Sequence, residues 1–179
     1  MKEKAAKEQQ IAAQKKQETK AADSISADTT ALFHQAMSGT SQKVVLKNSK
    51  LELTLDTKGG VIRKAVIKDF KSIDGTNNVT LFDENDQNLN FMLAGKQDHI
   101  VTADLYFTPS ELSDSTATFT AATGTGGEVI LRYRLGQDYM LGFSLQTKGL
   151  ANIFAPSYKE MEIEWSDHCR QQEKGFSFE

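Results

Sequence analysis

Four stretches carry residue types that could do chemistry. Asp167-His168-Cys169 holds an acid, a base and a nucleophile in a row. A nucleophile, its base and an orienting group must point at one another, which three consecutive residues do not do, so this run is expected to be inert. Gly124-Thr125-Gly126-Gly127 has the composition of a phosphate loop. Such loops stand between a strand and a helix N-terminus, whereas here a second β-like run follows, so a hairpin turn is expected. The loop Asp83 to Asn88 is rich in oxygen donors suited to calcium. It lacks the central Gly and the distant bidentate Glu of an EF-hand, and reads as a solvated acidic loop. His34, His99 and His168 are scattered without the spacing of a metal site. No Gly-x-Ser-x-Gly elbow is present. No catalytic, cofactor or metal-binding residue is therefore expected, and the chain is not read as an enzyme.

The elements that would position any site are strands. Leu51, Leu53 and Leu55 alternate with Glu52, Thr54 and Asp56, Lys58-Gly59-Gly60 reverses the chain, and Val61, Ile62, Ala65, Val66, Ile67 and Phe70 follow. This is a hairpin, with the Gly pair supplying the positive φ of a tight two-residue loop. Ile62, Ala65 and Ile67 cannot share a face without an extra residue, which predicts a β-bulge near Lys64. Further strands are expected at 79–82, 89–93, within His99 to Phe107 and closed by Pro109, and at 116–122 and 128–135. The last two lie at Tyr139 to Leu145 and Lys159 to Trp165, the latter with Met161, Ile163 and Trp165 on one face. About ten short strands with no interposed helix predict an antiparallel all-β sandwich.

The first 42 residues do not fit that pattern. Residues 1–22 are almost wholly Ala, Lys, Glu and Gln, with Ile11 as the one large apolar residue, which predicts a solvated helical or disordered tether. Lysines outnumber acids six to three there, a balance that suits a place beside lipid headgroups. Residues 23–42 form a Ser/Thr-rich linker in which Leu32, Phe33 and Met37 could make a helical turn that docks on the domain. The boundary is placed near Lys43, giving a tether over 1–42 and a domain over 43–179.

Composition narrows the classes further. The chain has 179 residues, 39% hydrophobic and 25% charged, and a net charge of −3, with no basic stripe for nucleic acid. One cysteine excludes an internal disulfide and a cysteine-based zinc site. No apolar run approaches the eighteen or so residues of a membrane span, and the Lys/Glu-rich start is no signal peptide.

Residues 44–75, 77–86, 102–109, 133–146 and 162–179 together resemble one family, the large first periplasmic domain of the YidC-type bacterial membrane protein insertases. The most specific combination is a strand, then Lys-Gly-Gly-x-Ile at 58–62, then Lys68-Asp69-Phe70, and then Leu81-Phe82-Asp83. The resemblance implies a twisted β-supersandwich like that of galactose mutarotase. It implies a non-enzymatic role in inserting and folding inner-membrane proteins, alone or with the Sec translocon, with SecDF, SecYEG and nascent membrane proteins as partners and no cofactor. It implies a place on the periplasmic side of the inner membrane, with membrane spans and further strands supplied by sequence beyond this stretch. The family's groove arginine lies within the membrane part, and Arg63, Arg132, Arg134 and Arg170 do not match it. An incomplete sandwich would expose a strand edge or an apolar face. Two other classes are open: a carbohydrate-binding or mutarotase-like sandwich, which needs a positioned acid and base, and a generic adhesion or lipoprotein sandwich.

Overall fold

The computed structural model of the protein describes residues 32–84, 86–94, 99–151, 154 and 161–172. The 1–22 tether lies outside these residues. Alternating sequences become eleven strands: β1 (Lys43–Lys47), β2 (Leu51–Asp56), β3 (Val61–Lys71), β4 (Asn78–Phe82), β5 (Gln87–Ala94), β6 (His99–Val101), β7 (Thr108–Ser110), β8 (Thr116–Ala122), β9 (Glu128–Leu135), β10 (Leu141–Lys148) and β11 (Glu162–Asp167). They form three sheets, ordered β1-β2-β3-β4, β10-β9-β8-β7 and β11-β5-β6, with every pairing antiparallel. The fold is an all-β sandwich. Leu46, Leu53 and Leu55 of the first sheet meet Phe119, Val129 and Leu131 of the second in one buried cluster, as facing inner surfaces of a sandwich do.

The first hairpin follows the predicted register with one change. Thr54 pairs with Lys64 and Leu55 with Ile62, so Arg63 is the extra residue of a bulge beside Lys64. The turn is four residues long, Thr57 to Gly60, rather than two. Distant contacts hold the extra pair: Phe107 donates its N–H to Thr57 O at 2.8 Å, Gly59 donates to Leu105 O at 2.8 Å, and Lys58 bridges Tyr106. Gly59 and Gly60 have φ of 78° and 64°. A Cβ on Gly60 would stand 2.4 Å from Leu131 Cδ1, and the Tyr133 hydroxyl donates to Gly60 O at 2.6 Å in the buried interior. The turn is thus pinned to the second sheet.

Of two other readings, the first is narrowed to one strand and the second is corrected. The run His99 to Phe107 is broken after β6 by a 3-10 turn at Thr102–Asp104. Buried Asn90 causes the break: its Oδ1 accepts from the Thr102 hydroxyl at 3.3 Å and from Ala103 N–H at 3.1 Å, while Thr102 Oγ1 takes Phe91 N–H at 3.0 Å. Those groups would otherwise be buried without partners. Pro109 does not end a strand but sits inside β7, at the sheet's edge, where a missing N–H is tolerated.

The N-terminal approach packs against the sandwich. Residues 32–37 form a turn in which Ala36 and Met37 donate to Phe33 O, and Phe33 and Ala36 are buried in the core. At the other end, the alternation of β10 and β11 does not produce burial. Phe143 is 40% exposed, Ile163 54% and Trp165 67%. Phe143 still stacks on Phe91 at 5.2 Å and leans on Tyr133 at 5.0 Å, so one side of its ring is packed and the other open. The last predicted strand falls at β11, with residues 155–160 outside the described set.

Candidate functional site

A groove of about 620 Å³ opens between residues 35–42 and the strand-edge region around β7. Its rim comes from Gln35, Ser38, Thr40 and Gln42, and its floor from Thr57, Phe107 and Thr120. The crossing chain is held by Tyr106 N–H to Ala36 O at 2.6 Å, by Gln42 N–H to Thr57 Oγ1 at 2.8 Å and by Thr57 N–H to Gln42 O at 2.9 Å. Every lining residue is uncharged. Hydroxyls, amides and backbone groups can hold a neutral polar chain, but nothing there can transfer a proton at neutral pH.

Tyr106 is the groove's one tyrosine, and it is half-buried. Gly39 lies so close that a Cβ there would stand 2.8 Å from Tyr106 Cγ, and Lys58 Nζ sits 5.4 Å from the ring centroid. The neighbouring edge is blunted as well, since Pro109 has no N–H to give an added strand. The groove escapes sequence reading because its residues are common Ser, Thr and Gln drawn from four separate stretches.

The acidic loop is filled by the protein's own cations. Lys64 Nζ lies 3.1 Å from Asp83, Lys43 Nζ lies 2.7 Å from Glu84 and 3.1 Å from Asp56, and Arg170 Nε lies 2.5 Å from Asp86. The Glu84 N–H and then Lys64 hold the Asp83 carboxyl below its usual range, and Arg170 does so for Asp86. Burial alone would raise Asp56, but hydrogen bonds from the Ser41 hydroxyl, the Lys58 N–H and Lys43 outweigh it and the carboxyl is lowered. A group of three or more His, Cys, Asp or Glu side chains arranged for a metal is absent among the described residues.

The remaining stretches lie on separate elements. Asp167 ends β11, His168 N–H donates to Asp86 O at 2.7 Å, and Cys169 is exposed; among the described residues no hydrogen bond joins the three side chains. The Gly-rich run is the β8–β9 turn, closed by Gly127 N–H to Thr123 Oγ1 at 2.7 Å, with Gly126 at φ 88°. His34, His99 and His168 lie on three different elements: the 32–37 turn, β6 and the segment after β11. Arg63 is the bulge residue, Arg132 bonds Gln146, and Arg170 clamps Asp86. No helix among the described residues is long and apolar enough to cross a membrane.

The described residues thus form an antiparallel β-sandwich with a neutral groove and an ion-paired loop. Residues 43–178 match the family model described as the YidC periplasmic domain, and the chain belongs to that family. It is 40% identical over 153 residues to the membrane protein insertase YidC of Phocaeicola vulgatus, covering 85% of this chain and 24% of that protein. The YidC of Bacteroides fragilis is 31% identical over 175 residues (97% and 27%), and that of Parabacteroides distasonis 36% over 151 residues (83% and 24%). The chain thus spans about a quarter of the length of these curated relatives. No solved structure matches it.

Proposed function

We propose that the domain serves a membrane protein insertase on the periplasmic face of the bacterial inner membrane, as a non-enzymatic docking module. The carrying observation is the family match across 43–178, with relatives named as insertases at 31–40% identity. The uncharged groove and the exposed apolar strands support a role in contact rather than catalysis. The partners that fit are components of the Sec translocon, SecDF and SecYEG, and the extended segments of nascent membrane proteins. A strand edge such as β10 would accept an extended segment through backbone hydrogen bonds.

Site-specific photocrosslinking in cells tests this, with probes at Gln35 and Thr108 in the groove, at Phe143 on β10, and at Thr125 on the β8–β9 turn as control. Adducts to translocon subunits or nascent membrane proteins from the first three sites, and not from Thr125, are expected. Adducts confined to cytosolic proteins would overturn the reading.

A further inference from the structure

We propose that the groove between residues 35–42 and β7 is a binding site for an extended, uncharged stretch of polypeptide, held through its main chain by Ser38, Gly39 and Thr40. This rests on the docking role and names what that surface recognises. The crossing chain is fastened at both ends and bare in the middle. On one side Tyr106 N–H donates to Ala36 O at 2.6 Å; on the other the Ser41 hydroxyl donates to Asp56 Oδ1 at 2.6 Å, and Gln42 and Thr57 bond one another. Between those anchors the N–H and C=O groups of Ser38, Gly39 and Thr40 make no hydrogen bond among the described residues, although all three residues line the groove. A short run of main chain is thus left with its donors and acceptors spare. The ligand whose own N–H and C=O groups repeat to match it is an extended peptide.

The opposite wall suits the same ligand. Pro109 has no N–H to offer, so main-chain pairing falls to residues 38–40 rather than to β7. What β7 and β8 present instead are hydroxyls: Thr108, Ser110 and Thr120 line the groove, and their side chains make no hydrogen bond among the described residues. A hydroxyl both donates and accepts, so it serves a peptide N–H or C=O whatever side chain lies beside it. The volume of about 620 Å³ falls within the roughly 300–1,000 Å³ of ligand pockets. With no charge in the lining, a charged side chain entering would lose its hydration and gain no partner, which selects an uncharged segment. Gly39 sets the position of the strap, since a Cβ there would stand 2.8 Å from Tyr106 Cβ and Cγ and push residues 38–40 off the ring.

Titration of the 179-residue chain with a short acetylated and amidated Thr-Ala repeat peptide, followed by amide NMR shifts, tests the site. The same peptide N-methylated at alternate residues, and maltotetraose, serve as comparison ligands. Shifts centred on Gly39, Thr108 and Thr120 are expected, with affinity lowered about tenfold by N-methylation and by Gly39→Ala. Thr108→Val, which keeps the shape of the strand, is expected to weaken binding less, and unchanged β9 amide shifts show that each variant is folded. Equal affinity for the N-methylated peptide, shifts confined to other elements, no shifts, or a response to maltotetraose alone overturns the proposal. Translocon adducts from Gln35 and Thr108 without any peptide shift would overturn this site and leave the docking role. Peptide shifts with only cytosolic adducts would overturn the docking role and leave the site.

Discussion

Neighbouring strands β9 and β10 have the same alternation and opposite fates. Their residues pair one to one, Leu131 with Leu145 and Tyr133 with Phe143. Yet Val129, Leu131 and Tyr133 are buried, while β10 keeps Phe143 and most of its length in solvent. The difference lies across the interface. Opposite β9 stand Leu55, Gly60 and the first hairpin, whereas beyond β10 no further strand is paired among the described residues. Alternation shows that a strand has an apolar face; what covers that face is decided by a different part of the chain.

The sharpest way to break this comparison is to truncate both members. Leu131→Ala is expected to cost about 3–5 kcal/mol, the range for a fully buried leucine, and Phe143→Ala only about 1–2 kcal/mol because half its ring is already wet. Urea unfolding of the two variants measures this, and equal losses would mean that β10 is covered after all. Next in size are two glycines of like backbone. Gly60→Ala meets both the left-handed penalty and Leu131, for about 3 kcal/mol or more, whereas Gly75, at φ 73° with no atom within 4 Å of its added Cβ, should lose only about 1 kcal/mol. Thermal melts of the pair separate close packing from backbone strain.

The smallest expected effect concerns the loop charges. Asp56, Asp83 and Asp86 have folded-state values below their unfolded ones, so their contribution is complete above the unfolded carboxylate range and is lost as pH falls through the folded values. Stability should therefore be flat from pH 7 to about 5 and decline below about 4. Asp56→Asn should flatten part of that acid limb in urea midpoints taken across pH.

Much of the sandwich is legible in the sequence. The strands read at 116–122 and 128–135 coincide with β8 and β9, because period-two alternation is bounded on both sides by Gly or polar turns. The bulge is legible too, since three apolar residues could not otherwise share a face. What the sequence hides depends on partners far along the chain. The two extra residues of the first turn are held by Leu105 to Phe107, and the 3-10 break by Asn90. The groove has no motif to find, because neutral Ser, Thr and Gln become a site only when residues 35–42 are laid beside β7. The Asp-His-Cys run shows the converse, reactive residue types brought together by sequence and left without mutual contact by the fold.

Phe33 has a mechanical consequence. Its side chain is 2% exposed, and its carbonyl closes the 32–37 turn just ahead of the edge strand β1. Tension applied to the chain from the N-terminal side must extract this aromatic plug before it can load the β1 ladder. A tug from that direction is thus absorbed by a local, re-formable contact, and the first sheet is spared from being peeled open one hydrogen bond at a time.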